Sequence, residues 1–251
     1  MSAIGSGYDV SCMTYSPDGK VFQLEYAMKS VENSSTSIAI KCKDGIVVGN
    51  ERLILSKMTE KSSNKRIFNL AKNIVMTCAG FMPDVAKLAK QAGEESESFK
   101  KMYGVDIPVK TLCERLARYI HIYTIQGYYR PFGCSLLIGG FDHNGYQLFS
   151  LEPTGNIVGY FANGIGKGRL ICKNELEKLK LNELTCEEAL INVIQILDLC
   201  HEEWKDKNYE IDLAWCCDET QHIVKKIEKE KLKELLNKAR GIDMEEEKVE
   251  N

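Results

Sequence analysis

The chain has 251 residues, 44% of them hydrophobic and 27% charged, with a formal net charge of −3. That length and balance suit a globular protein with a sizeable core, and the slight acidity counts against a protein whose main work is gripping nucleic acid or anionic lipid. No apolar run reaches the roughly 18 residues of a membrane span, and the first residues are too polar for a signal peptide.

Near the amino terminus Ser16-Pro17-Asp18-Gly19 reads as a tight turn, with proline pre-setting φ at its second position. An amphipathic helix is expected over 18–31. Val21, Leu24, Ala27, Met28 and Val31 share one face, while Phe22 and Tyr26, four residues apart, stack on the opposite one. A helix of a monomer needs one apolar stripe, so the second asks for a partner. Residues 1–17 hang in front and carry a lone Tyr8-Asp9.

Alternation at Ile38, Ile40 and Cys42, a turn at Asp44-Gly45 and the return Ile46-Val47-Val48 predict a hairpin. A second pair follows over Ile67–Leu70 and Ile74–Cys78. The period then becomes helical, with Val85, Leu88, Ala89 and Ala92 marking one helix and Val109, Leu112, Leu116 and Ile120 another. The pattern recurs: strands over Leu136–Gly140, Gln147–Leu151 and Ile157–Ala162, then helices over Lys167–Lys180 and from Glu187 to Trp204, the latter opened by a Thr185/Glu188 capping box. A last hairpin (211–217 and 222–227), a charged helix from Glu228 to Arg240 and an acidic, disordered tail over 241–251 complete the chain. No linker composition interrupts the series, so residues 1–240 read as one domain. Antiparallel hairpins and paired helices predict an α+β fold: two facing sheets with helix pairs outside, a four-layer α-β-β-α sandwich.

The ten cysteines are expected to be buried and reduced, as in a cytosolic or nuclear protein. Cys42, Cys78, Cys113, Cys134, Cys172, Cys186 and Cys200 are scattered singly, and no C-x-x-C occurs. Adjacent Cys216 and Cys217 should point to opposite faces of a strand. The histidines, His121, His143, His201 and His222, show no metal spacing, and His201-Glu202-Glu203 is not H-E-x-x-H. No metal and no cofactor is expected. Glycines 164, 166 and 168 precede a helix but lack the order and the G-K-[ST] ending of a phosphate loop, and they read as strand-to-helix packing.

"GYDVSCMTYSPDGKVFQLEYAMKSVENSSTSIAIKCKDGIVVG" closely resembles the opening signature of proteasome alpha subunits, and "YYRPFGCSLLIGG" their R-P-F-G strand. The resemblance implies the Ntn-hydrolase fold and a non-catalytic place in the 20S core. The partners it implies are other alpha subunits in a heteroheptameric ring, the beta rings, and a regulatory particle or other activators. It also implies ubiquitin-dependent degradation in cytoplasm and nucleus, with no nucleic acid and no membrane. In such a ring Phe22 and Tyr26 become contact residues, and the tail closes the axial pore as a gate organised by Tyr8, Asp9, Pro17 and Tyr26. Where the family usually has arginine after that Tyr-Asp pair, this chain has Val10, which counts against a salt bridge from the tail. An inter-subunit pocket for an activator's C-terminal carboxylate is implied at Val21, Arg66, Gly80 and Phe81, with Lys65 as a substitute for Arg66.

The related beta subunits are N-terminal threonine hydrolases, whose free amine serves as base beside the hydroxyl nucleophile. Alignment of the Lys43-Asp44-Gly45 turn sets Ser35 at the threonine's place, Glu51 near the aspartate's and Arg66 at the lysine's. Ser34, rather than a propeptide glycine, precedes Ser35, and arginine stays charged and cannot act as a base near neutrality. The expected centre is silent and no catalytic residue is assigned. Two rivals remain at this point: an active Ntn-type threonine or serine peptidase subunit, and a free-standing adaptor outside any barrel.

Overall fold

The computed structural model describes residues 7–54, 56, 58, 60, 64–204 and 209–241, with the backbone alone for 202–204. Residues 1–6 of the expected tail, and the acidic stretch from 242 onward, lie outside the described residues. Six helices and ten strands follow one another among those described. They are α1 (Phe22–Glu32), β1 (Ser37–Lys41), β2 (Gly45–Leu53), β3 (Ile67–Ala71), β4 (Ile74–Gly80), α2 (Met82–Tyr103) and α3 (Val109–Ile125). Then come β5 (Cys134–Asp142), β6 (Gly145–Leu151), β7 (Ile157–Gly159), β8 (Ala162–Ile165), α4 (Arg169–Leu176), α5 (Cys186–Trp204), β9 (Tyr209–Cys217), β10 (Lys225–Lys226) and α6 (Lys229–Arg240).

The strands form two five-stranded antiparallel sheets, ordered β10-β9-β2-β1-β8 and β3-β4-β5-β6-β7. Each sheet draws strands from both halves of the chain. Alternate side chains sort into three apolar layers, as the two-residue period of a strand requires. In β1, Ile38 and Ile40 face α4 and α5, while Ala39 faces the other sheet. In β4, Ile74, Met76 and Cys78 face α2 and α3, while Val75 and Ala79 face inward. These are the layers of an α-β-β-α sandwich. Val31 of α1 joins the inner layer, so α1 lies across one end of the sandwich with that stripe held. Cys216 enters the inner layer and Cys217 the outer one, and all ten thiols are free and buried.

Four boundaries differ from expectation. The last strand, expected over 222–227, shrinks to Lys225–Lys226, because a tight turn over Asp218–Thr220 and left-handed Gln221 and His222 occupy the chain before it. The segment expected as one strand, Ile157–Ala162, is divided between sheets. Tyr160 N donates to Leu148 O (2.9 Å) in one sheet, and Lys41 N donates to Phe161 O (2.7 Å) in the other. Hydrophobic period alone cannot say which neighbour bonds each residue. The helix expected over Lys167–Lys180 closes at Leu176, after which three-residue bonds such as Lys178 N to Glu175 O (3.2 Å) and Leu179 N to Leu176 O (3.2 Å) unwind it. The first helix begins at Phe22 rather than at 18, because the preceding turn occupies the chain up to Lys20. The capping box is present: Thr185 N donates to Glu188 Oε2 (3.0 Å) and Glu188 N to Thr185 Oγ1 (3.3 Å).

Candidate functional site

Gly19 N donates to Ser16 O (2.9 Å), closing the four-residue turn with Pro17 second. Ser16 and Lys20 then bond each other twice: Ser16 N to Lys20 O (2.8 Å) and Lys20 N to Ser16 Oγ (3.1 Å). Upstream, the Gln23 side-chain amide on α1 donates to the Asp9 carbonyl, and the Cys12 thiol lies 3.8 Å from the Tyr129 carbonyl oxygen. The tail therefore lies along α1 and the loop that follows α3. Asp9 engages through its backbone, a contact the sequence alone did not suggest. Tyr8, Pro17 and Tyr26 are exposed, as is Val10.

On α1, Ala27 and Val31 are buried, while the Phe22 and Tyr26 rings stack on the outer side with centroids 6.4 Å apart and planes at 21°. Tyr26 leaves 47% of its surface exposed and borders a cleft with Phe81, Arg130 and Gly133. Gly80 makes this cleft possible. Its φ is +117°, and a Cβ there would lie 2.3 Å from Gly133 O, so only glycine lets Phe81 emerge where its N donates to Gly133 O at 2.8 Å. Arg130 sits over the Phe81 ring at 5.5 Å and forks onto Asp84, Nη1 to Oδ2 at 2.6 Å and Nη2 to Oδ1 at 2.7 Å. Gly133 N also donates to Asp84 Oδ2 (2.9 Å). Burial alone would raise the Asp84 carboxyl, but the Arg130 and Gly133 hydrogen bonds, with the charges of Arg130 and Lys87, outweigh it and hold it below its ordinary value. Asp84 was not singled out from the sequence, and nothing local marks it: its partners lie 46 and 49 residues away.

Of the residues expected at the activator pocket, Phe81 borders this cleft with Gly80 beside it. Val21 precedes α1 as its N-cap, Lys65 is exposed, and neither lines the cleft. Arg66 turns inward: its Nε and Nη1 are buried without hydrogen-bond partners. Burial lowers the Arg66 pKa, opposed by interactions with Cys78 and Glu51.

Arg66 thus leads to the silent centre. Ser35 and Thr36 are buried, and Ser35 is amide-linked to Ser34, whose carbonyl accepts from Lys167 N (2.9 Å). Thr36 Oγ1 accepts from Gly168 N (3.1 Å), and Gly166, at φ +96°, lies so close that a Cβ would meet Ser35 O at 2.5 Å. Glu51 N donates to Thr36 O (3.0 Å), and Thr36 N points to Glu51 Oε2 (3.4 Å). The other Glu51 oxygen is 2.8 Å from His201 Nδ1, and the His201 ring stacks on Tyr209 at 3.8 Å. Ser35, Glu51 and Arg66 are gathered in one region as the alignment predicts. The Arg66 guanidinium stays charged near neutrality and cannot act as a base for the Ser35 hydroxyl. The three glycines serve packing: a Cβ on Gly164 would meet Cys172 Cβ at 2.4 Å, and one on Gly168 would meet Cys200 Sγ at 2.6 Å.

Comparison with known proteins bears on both faces of this site. Residues 31–216 match the proteasome subunit family, and residues 8–29 match the N-terminal signature of A-type proteasome subunits. The chain belongs to the proteasome subunit family, as an alpha-type member. It is similar to the alpha type-3 proteasome subunit of Dictyostelium discoideum, 47% identical over 92% of this chain and 93% of the relative. The same-named subunit of Arabidopsis thaliana is 46% identical over 93% and 94%. A probable alpha type-7 proteasome subunit of Saccharomyces cerevisiae is 41% identical over 94% of this chain and 84% of its own. Alpha-type subunits make the non-catalytic ring of the proteasome, and this subunit is one of them.

Proposed function

We propose that this alpha-ring subunit uses the outer stripe of α1 to bind its neighbour in the ring, and its tail to close the pore of the barrel. Its partners are the other alpha subunits of a heteroheptameric ring, the beta rings below, and a regulatory particle or other activator above. The observation that carries the reading is the two-sided α1. Ala27 and Val31 fill the inner face, which leaves Tyr26, stacked on a half-buried Phe22, with 47% of its surface turned outward. Tail contacts through Asp9 and Cys12 hold the gate's root, while Tyr8 stays free to meet other tails. Phe81, with Gly80 beside it, forms part of the surface that receives an activator; Val21 and the exposed Lys65 complete it when a neighbour is in place, and Arg66, turned inward, leaves that part to Lys65. Reduced thiols throughout suit work in cytoplasm and nucleus.

Deletion of residues 2–11 tests the gate. Mutant and wild-type barrels are compared on one small fluorogenic peptide, with and without activator. Basal hydrolysis is expected to rise with assembly unchanged, and the difference to shrink once an activator has shifted the same closed-to-open equilibrium. Equal basal rates would remove this tail from the plug.

A further inference from the structure

Among the described residues, one set of three metal-ligating side chains is brought together: Cys42, Asp44 and Cys186, whose ligand atoms all lie within 4.8 Å of one another. Cys42 and Asp44 come from the tight β1–β2 turn, closed by Cys42 N donating to Gly45 O (2.7 Å). Cys186 is the first residue of α5. We propose that these three side chains form a binding site for one thiophilic divalent cation of the zinc class, pinning the β1–β2 turn to the start of α5.

The donor set fits such an ion. Two thiolates and a carboxylate oxygen are ligands zinc accepts, with bonds of about 2.0–2.3 Å, so ligand atoms around a tetrahedral ion stand about 3.3–3.8 Å apart. The three ligand atoms, all within 4.8 Å of one another, already stand near that spacing. The backbone is already fixed on both sides of the site. Asp44 Oδ1 accepts from Cys186 N (2.9 Å), leaving its second carboxylate oxygen for the ion, and Asp218 N donates to Asp44 O (3.0 Å). Lys43 N donates to Leu184 O (3.2 Å), tying the turn to the approach of α5. Gly45 keeps the pocket tight, since a Cβ there would lie 2.6 Å from Cys186 Sγ. Both thiols are buried and Asp44 is half-buried, so the ion reaches the site from the carboxylate side, where water supplies the fourth ligand. Coordination releases the two thiol protons to solvent. Soft sulfur ligands select against magnesium and calcium. The site is independent of the gate and ring-contact reading.

The test uses the reduced, metal-free full chain titrated with Co²⁺ and then Zn²⁺. One equivalent of cobalt is expected to give a thiolate-to-cobalt charge-transfer band that zinc abolishes and excess Mg²⁺ leaves alone. Cys42→Ala and Cys186→Ala should each reduce that band strongly, and Asp44→Asn should weaken cobalt binding by at least about tenfold. Cys172→Ala, which removes a buried thiol 3.6 Å from Cys200 in the same core, should leave the titration unchanged. Circular dichroism checks that each variant is folded. A folded wild-type chain that gives no cobalt-thiolate band overturns the proposal whatever the variants do, and so does a band unchanged in folded Cys42→Ala or lost in folded Cys172→Ala.

Discussion

Replacing Phe22 and Tyr26 together by alanine should damage ring assembly far more than the fold of the isolated chain. Tyr26 exposes 47% of its surface. For an aromatic side chain of about 200 Å² that leaves about 100 Å² for a neighbour to cover. At ~25 cal/mol per Å² this contact contributes ~2.5 kcal/mol, a factor of roughly 60 in an association constant. Phe22 is already half-buried and adds less. Inside the monomer the double substitution removes the ring stack, worth about 0.5–1.5 kcal/mol, and the partial burial of Phe22. The inner stripe at Ala27 and Val31 is untouched. The assay is competition in cells: tagged mutant and wild-type chains are co-expressed, and their shares in the barrel and free fractions are read on a native gel beside a thermal melt of each free chain. Phe22→Ala alone is run in parallel, because Tyr26 also belongs to the proposed gate cluster. The reasoning is refuted if the double mutant enters barrels as well as wild type while the free chain melts markedly lower.

The isolated chain should hydrolyse no fluorogenic peptide, and an epoxyketone probe should leave Ser35 unlabelled; a Ser35 adduct in the peptide map would reverse the account of the silent centre. Asp84→Asn should lower stability by about 1 kcal/mol near neutral pH, the low end for a charge-assisted pair because 59% of the Arg130 side chain is exposed. The folded Asp84 carboxyl lies below its ordinary 3.8, so its contribution is complete above the unfolded value and disappears as pH falls through the folded one. Urea melts across the carboxylate range should show the wild-type advantage shrinking with acid, and a pH-independent gap would contradict the ion pair. Gly49→Ala places a Cβ 2.3 Å from Val193 Cγ1 on α5 and should cost about 1–3 kcal/mol, seen as a lower melting temperature. An unchanged melt would mean that α5 packs more loosely on β2 than this contact implies.

Much of the architecture was legible along the chain, because side-chain period is a local record of which faces are apolar. Ile38 and Ile40 against Ala39, and Cys216 against Cys217, assign the faces of β1 and β9 without any structure. The Ser16–Gly19 turn and the Thr185/Glu188 box carry their own hydrogen-bond logic within four residues. The four-residue spacing of Phe22 and Tyr26 likewise foretold their stacking on one side of α1. What decides between neighbours is different. Backbone N–H and C=O groups are the same at every position, so nothing in Ile157–Ala162 says that its first half bonds β6 and its continuation β1. The Glu51–His201 contact joins residues 150 apart, the Asp84–Arg130 fork residues 46 apart, and the Asp44–Cys186 bond residues 142 apart. Such groups carry no periodic signal of their own. Only the stacking of two sheets drawn from both halves of the chain brings them within hydrogen-bonding or ligand distance, and the geometry of those meetings is a property of the packed layers.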